Sequence, residues 1–137
     1  MRMPRVLFAA MLLLYIVPML SAQDAAKVDS KHYTVISEND QVRILKVHYG
    51  PHEKSVMHSH PAGVAVFLTD STGKFTFPDG KTENTKWKAG DAMYTPAVTH
   101  LPENTGDKPF ELVLVELKGK SAAAAKSAAK KAEAPKK

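Results

Sequence analysis

Turn-forming residues divide the centre of the chain, at short and regular intervals, into segments rich in β-branched and aromatic residues. Apolar and polar residues alternate in 45–49 and 75–77, which is typical of strands with one face in a core. The central region contains no pattern of a long amphipathic helix. The spacing therefore predicts an antiparallel β-sandwich or barrel. The predicted strands are 33–37, 42–49, 64–69, 74–77, 81–88, 91–95 and 110–118, and the predicted turns include 70–73, 78–80 and 104–107.

The last predicted strand is apolar on both faces, which favours a position inside a sheet. Glu111 and Glu116 are the exceptions in it. Large aromatic side chains in the central region are predicted to pack in the core, because each of them buries a large apolar area. These residues are Phe67, Phe75, Phe77, Trp87 and Phe110.

The first 22 residues have the three parts of a secretory signal peptide. Residues 1–5 are basic, residues 6–20 are almost entirely apolar, and the small residue Ala22 precedes a polar start. An uncleaved membrane anchor is the alternative, but a span takes about 20 apolar residues and Pro18 interrupts this stretch. We therefore predict cleavage after Ala22, no transmembrane segment in the mature protein, and a periplasmic or secreted location.

The other end of the chain, residues 119–137, is rich in alanine and lysine and has no large apolar side chain. Such a segment cannot build a core, so we predict a disordered basic tail. Two roles are open for it, a solvated tail or a weak contact with polyanions. Residues 118–137 carry a charge of +6 and residues 23–117 a charge of −3, so the folded part is mildly acidic. This charge excludes a nucleic-acid-binding domain, which would concentrate basic residues on its surface.

Four parts are thus predicted along the chain: a signal peptide (1–22), an N-terminal arm and first strand (23–41), a barrel (42–118) and the basic tail (119–137). The chain contains no cysteine. It therefore has no disulfide framework, even though its predicted destination is oxidising. Its stability must come from a core, a bound metal or association.

His58 and His60 are separated by one residue, so on a strand both imidazoles leave the same face. His100 follows forty residues later. Three neutral imidazoles can hold a divalent ion and leave coordination positions open. The chain has six histidines, so the H-x-H pair alone is a weak motif. Of the others, His48 is predicted in solvent, His32 on the surface, and His52 in an exposed turn or against a ligand histidine.

Two motifs around these histidines resemble those of the cupin superfamily, whose fold is a double-stranded β-helix, a small jelly-roll barrel. The resemblance covers about residues 42–118 and implies an all-β protein with His58, His60 and His100 as metal ligands. The matching residues are Gly50, His58, His60 and Gly73 in the first motif, and Gly90, Pro96, His100 and Asn104 in the second.

The chain departs from the cupin pattern at two places. Val64 or Ala65 stands where the first motif has a glutamate, and Val98 replaces a glycine in a second motif that is one residue shorter. The resemblance therefore implies a site of three histidines without the motif glutamate. A carboxylate from another strand is left open, with Glu53, Glu111 and Glu116 as candidates.

The resemblance implies a divalent transition metal (iron, manganese, zinc or nickel) as cofactor. An ion on three imidazoles keeps its positive charge and favours anionic or oxygen-rich ligands. One function is that of a small-molecule dioxygenase or related oxidoreductase, similar to three-histidine cupin dioxygenases. The alternative is a non-catalytic metal or small-ligand binding protein of the cell envelope, with the barrel mouth as its pocket.

The candidate pocket residues are Tyr49, Val64 and Tyr94. No catalytic residue is assigned, because the chain has no serine-histidine-acid set, phosphate loop or paired carboxylate motif. Cupin relatives commonly dimerise, and a small barrel has strand edges to pair, so a homodimer is expected.

Overall fold

The computed structural model of the protein describes residues 23–119. The predicted signal peptide and residues 120–137 of the predicted basic tail lie outside the described residues. Within residues 23–119, no helix has both the length and the apolar character that a membrane crossing requires.

Nine strands and one short helix make up the described part of the chain. The helix α1 spans Ala25–Val28. The strands are β1 Tyr33–Glu38, β2 Val42–Tyr49, β3 His58–His60, β4 Gly63–Phe67, β5 Ser71–Thr76, β6 Thr82–Trp87, β7 Ala92–Thr95, β8 Val98–Asn104 and β9 Phe110–Leu117. The prediction of an all-β fold is confirmed.

Two antiparallel sheets face each other across the core. One has the strand order β1-β2-β9-β4-β7 and the other β3-β8-β5-β6. Strand β9 is central in its sheet and pairs with β2 and β4, as its apolar character on both faces predicted. The histidines of interest lie on β3 and β8 of the smaller sheet.

The core is built mainly from alternate residues of β2, β4 and β9. On β2, Leu45, Val47 and Tyr49 are buried while Lys46 and His48 are exposed. His48 is therefore on the solvent side, as predicted. The core cluster consists of Ala25, Tyr33, Leu45, Val47, Tyr49, Ala65, Phe67, Phe110 and Leu114.

Strand β5 begins at Ser71, inside the stretch 70–73 that was predicted to turn. That prediction was wrong because Gly73 serves the sheet rather than a turn. It lies opposite Asn104 of β8, and a Cβ atom at Gly73 would stand 2.9 Å from the carbonyl oxygen of Glu103. Glycine is present here because two backbones approach closely.

Residues 23–32 form an arm that packs against β3. Asp24 caps α1 by accepting a hydrogen bond from the amide of Ala26 at 3.0 Å, and it forms a β-bridge with Ser59. The amide of Ser59 donates to the carbonyl of Gln23 at 2.8 Å, and Ala25 is fully buried. The arm thus lies beside the strand that carries His58 and His60, at the edge of the smaller sheet.

Candidate metal centre

Three buried histidines meet on the inner face of the smaller sheet. Pairing of β3 with β8 sets His58 directly opposite His100, and His60 follows on the same face of β3. The three rings are nearly perpendicular to one another, with interplanar angles of 85°, 89° and 86° and centroid separations of 4.7, 5.3 and 5.5 Å. One nitrogen from each ring lies within 4.8 Å of the other two. The structure therefore brings together the three residues named from the sequence.

The ring of His58 is held in one orientation by its Nδ1 atom. Nδ1 lies 2.8 Å from the carbonyl oxygen of Val56 and 3.2 Å from Oγ of Ser55. A carbonyl only accepts, so Nδ1 carries the proton and donates. Ser55 in turn donates to the carboxylate of Asp29 in the arm. Nε2 of His58 is buried without a partner among the described residues, and in the neutral ring it carries the free lone pair.

The ring of His60 is held by a carboxylate from the opposite sheet. Nδ1 of His60 donates to Glu116 at 2.7 Å, and the side chain of Glu116 is only 1% exposed. Arg43 donates to the second oxygen of Glu116 from Nε at 2.7 Å and lies 2.5 Å from it through Nη2. The same guanidinium holds Asp24 at 2.7 and 3.0 Å. A chain of charged groups thus connects the arm to Nδ1 of His60 and leaves Nε2 available.

His100 differs from the other two because neither of its ring nitrogens has a hydrogen-bond partner within residues 23–119. Both atoms are buried. Packing sets the position of the ring, with the Phe75 ring at a centroid distance of 4.5 Å. Unpaired buried polar atoms carry a desolvation penalty of about 1–3 kcal/mol each, so they point to a missing partner.

The protonation of His58 and His100 suits a metal. Burial, with a smaller contribution from nearby His60, lowers the pKa of His58 to about 4. Burial, followed by the proximity of His60 and His58, lowers the pKa of His100 to about 3. Both rings are consequently neutral at pH 7, which is the form that binds a metal ion. The donor set fits a divalent transition metal, with three imidazole nitrogens and outer partners that fix the ring orientation.

Two of the three glutamates named as possible ligands lie elsewhere. Glu53 binds Lys31, His32 and the amide of Gly50, and Glu111 lies at the surface with Lys46 and His48. Glu116 does reach the site, but it contacts His60 at Nδ1. Its contact therefore orients the ring of His60.

Ala65 takes the inward position where the cupin motif has its glutamate. It is buried on β4 and lines the cavity beside His60. Its methyl group offers no ligand, so the site within the described residues is one of three histidines.

An apolar cavity of about 330 Å³ adjoins the histidines. Tyr49, one of the three predicted pocket residues, lines it. Val64 and Tyr94, the other two predicted pocket residues, do not. They pair with each other across β4 and β7 and share the outer face, where Tyr94 is 40% exposed. Strand alternation turns Ala65, Met93 and Thr95 inward instead.

Tyr33 is part of the site although it was not predicted from the sequence. Its ring packs against His58 and His60 at centroid distances of 4.9 and 5.2 Å. Its hydroxyl bonds that of Tyr49 at 3.0 Å. Burial raises the pKa of both phenols above their usual value, so both stay neutral. Tyr33 thus forms an apolar wall behind two of the histidines.

The prediction that His32 lies on the surface was wrong. Its ring is buried, stacks on Tyr49 at 4.1 Å, and bonds Asp29 through Nδ1 at 2.7–2.8 Å and Glu53 through Nε2 at 3.1 Å. The arm folds back against the barrel, so the ring of His32 is covered by its contacts with Tyr49, Asp29 and Glu53. His52, in contrast, lies in an exposed turn with φ of 57° and contacts Asp107, so it does not support a ligand histidine.

Asn104 of the second cupin motif has a structural role. Asn104 is buried, and its amide nitrogen donates to the carbonyls of Gly50 at 2.8 Å and Lys108 at 2.9 Å. Its side-chain oxygen accepts from the amide of Gly106 at 2.9 Å. Asn104 therefore joins the loop after β2 to the loop after β8 and fixes the end of the strand that carries His100.

Asp29 and Arg43 contact the three histidines only through Ser55 and Glu116, whereas Ser55 contacts His58 directly, and the sequence analysis identified none of Asp29, Arg43 and Ser55. The distance of Asp29 and Arg43 along the chain from His58 and His60 hides the connection. One signal was present for Glu116: an acidic residue in a strand that is apolar on both faces needs a buried partner.

The chain matches a family model described as a cupin domain over residues 45–116. A cupin domain from Bordetella pertussis Tohama I has 25% identity and a TM-score of 0.59, over 64% of this chain and 92% of that chain. An RmlC-like cupin family protein with a double-stranded β-helix fold from Methanocaldococcus jannaschii has 20% identity and a TM-score of 0.51, over 66% and 84%. A polyketide cyclase from Streptomyces resistomycificus has 16% identity and a TM-score of 0.51, over 64% of each chain.

The last two likenesses show the fold alone. No curated protein sequence matches the chain significantly. The family model, however, takes in more than half of the chain, including the three buried histidines and Glu116. This chain therefore belongs to the cupin family, and the predicted double-stranded β-helix is confirmed.

Proposed function

We propose that this protein binds a divalent transition metal through Nε2 of His58, Nε2 of His60 and one nitrogen of His100. One observation carries the proposal: three buried imidazoles meet at one point, two of them held by Nδ1 so that Nε2 is left over. A metal ion would supply the partner that the buried nitrogens of His58 and His100 lack. Iron, manganese, zinc and nickel all accept imidazole ligands, so the ion is proposed as a class.

We further propose that the metal and the adjoining cavity together bind a small molecule. The bound ion would supply positive charge and open coordination positions for an oxygen donor. The residues of the chain hold the imidazole rings in place and keep bulk water away from them. Tyr33, Phe75 and Ala65 form apolar surface next to the histidines.

Two activities are compatible with this arrangement. Of the groups that contact the histidines, Glu116 is bound by Arg43 and His60, and the hydroxyls of Tyr33 and Tyr49 bond each other. This favours either ligand binding without catalysis or a dioxygenase-like oxidoreductase in which the metal does the chemistry. Substrate-dependent oxygen consumption by the iron-loaded protein would identify the enzyme.

The metal proposal predicts a large loss of affinity when one ligand is removed. In titrations of the metal-free protein with zinc, manganese or nickel, the wild type should bind one equivalent of at least one ion. His58→Ala or His100→Ala should weaken that binding by more than the roughly 10–100-fold that loss of an outer partner costs.

His48→Ala is the matched control, since His48 is half-exposed on β2, and it should bind metal like the wild type. Absence of stoichiometric binding in the wild type would contradict the proposal. So would equal affinities in His48→Ala and His58→Ala.

We also propose that the protein is exported, because of the signal-like residues 1–22. Expressed in a Gram-negative host, it should be recovered from the periplasmic fraction with the mass of a chain that starts at Gln23. A variant without residues 2–22 should stay in the cytoplasm. Recovery of the full-length chain from the membrane fraction would instead support an uncleaved anchor. The homodimer and the contact of the basic tail with polyanions stay predictions.

A further inference from the structure

One buried hydroxyl in the wall of the apolar cavity has no partner. Thr85 lies on β6 and is 7% exposed, and its Oγ1 atom is unpaired within residues 23–119. It lines the same cavity as His60 and His100. A buried hydroxyl without a hydrogen bond costs about 1–3 kcal/mol. A residue that carries this cost next to a cavity is a candidate to bind what enters the cavity.

The sheet gives the hydroxyl of Thr85 room on one side. Thr85 pairs with Gly73 across β5 and β6, and Gly73 has no side chain to cover it. A Cβ atom at Gly73 would stand only 3.0 Å from Oγ1 of Thr85. Any side chain at position 73 would therefore crowd the hydroxyl, whereas glycine places no side chain over it.

Parts of the cavity wall are flat and aromatic. Trp87, two residues along the same face of β6, stacks on Phe67 at a centroid distance of 4.6 Å and an angle of 18°. Tyr49 stacks on Phe110 at 5.2 Å and 20°. Such rings favour stacking with planar molecules.

The cavity volume bounds the size of the ligand. A cavity of about 150 Å³ lined by apolar side chains holds one benzene molecule. The volume of about 330 Å³ therefore fits a molecule of one or two rings.

We infer that the cavity binds a planar molecule of one or two rings that carries a hydroxyl or carbonyl group, and that Thr85 hydrogen-bonds this group. The inference deepens the proposed function by naming a ligand class for the same cavity. The inference rests on the proposed function only in that the cavity must be a binding site. It does not require a bound metal, because the hydroxyl of Thr85 can form its hydrogen bond without one.

The test compares two probes of equal shape, 2-naphthol and 2-methylnaphthalene, on metal-free protein. Trp87 is the only tryptophan in the chain, so its indole N–H gives one NMR signal that reports on the cavity. Titrations with wild type and Thr85→Val give the ratio of the two affinities in each protein. Comparing this ratio between the two proteins removes the effect of the different hydrophobicities of the probes, because that effect is the same in both proteins.

The ratio of naphthol to methylnaphthalene affinity should fall by about five- to tenfold in Thr85→Val, the worth of one hydrogen bond. Thr85→Ser keeps the hydroxyl and should keep the ratio. Thr82→Val changes an exposed threonine of the same strand and should also leave the ratio unchanged. Because valine matches threonine in shape and removes an unpaired hydroxyl, Thr85→Val should fold at least as stably as the wild type.

Equal ratios in wild type and Thr85→Val would overturn the inference, as would the absence of any shift at Trp87 with both probes. Neither result bears on metal binding, which the histidine variants test separately. Conversely, failure of metal binding would leave the Thr85 result unchanged, so the two proposals fail in different experiments.

Discussion

Glu116→Gln should destabilise the protein by about 3 kcal/mol and weaken metal binding about 10–100-fold. The carboxylate is 1% exposed and binds both Arg43 and Nδ1 of His60. A neutral amide removes the charge opposite the guanidinium, which then keeps only Asp24 at its other side. The amide also presents either a donor or a weaker acceptor to Nδ1 of His60. The ring of His60 is then held less firmly in the orientation that would turn Nε2 toward the metal.

Urea unfolding of the metal-free protein and metal titration of the folded protein measure the two effects of Glu116→Gln separately. Glu111→Gln is the matched control on the same strand. Glu111 pairs with Lys46 and His48 at the surface, where such pairs contribute about 0–1 kcal/mol. Wild-type metal affinity in Glu116→Gln would show that Glu116 does not orient His60.

Gly63→Ala should cost about 3 kcal/mol or more. Gly63 begins β4 and lies opposite Glu116 of β9. A Cβ atom here would stand 2.2 Å from the carbonyl oxygen of Val115 and 3.1 Å from its carbonyl carbon. These are backbone atoms, so β4 and β9 must move apart. That movement would shift Glu116 away from His60, and metal affinity should fall with stability.

Gly106→Ala provides the comparison for Gly63→Ala. The nearest atom to its added Cβ is Oδ1 of Asn104 at 3.4 Å, an ordinary contact, so we expect a change within about 1 kcal/mol. Midpoints of chemical unfolding measure both variants. Equal stabilities for Gly63→Ala and Gly106→Ala would contradict the close approach of β4 and β9.

The strands with alternating or fully apolar sequences were predictable, because burial on one or both faces leaves a pattern in the chain. Strand β2 has the predicted bounds, and β9 ends one residue earlier than predicted. Strands β3 and β8 were absent from the predicted strands. They carry histidine, serine, proline and asparagine side chains, and those residues do not follow the pattern of a core strand. The strands hardest to see in the sequence are thus the ones that carry the candidate ligands.

The site was predictable as far as its three histidines, since the two motifs fix their spacing. The partners behind them were not. Asp29 reaches His58 only through Ser55, and Arg43 reaches His60 only through Glu116. Such contacts depend on the register of β2 with β9 and on the path of the arm. The sequence also could not decide whether Val64 or Ala65 takes the place of the motif glutamate. The pairing of β4 decides this, because it turns the side chain of Ala65 inward.

The central claim is that three imidazoles bind one metal, with Nε2 as the ligand atom in His58 and His60. NMR of the imidazole nitrogens, before and after one equivalent of zinc, tests it most directly. We predict that Nε2 of His58, Nε2 of His60 and one nitrogen of His100 shift to the values of metal-bound nitrogen. Nδ1 of His58 and His60 should keep their protons, and His32, His48 and His52 should not change. Unchanged signals from His58, His60 and His100, or equal changes at His48 and His52, would contradict the claim.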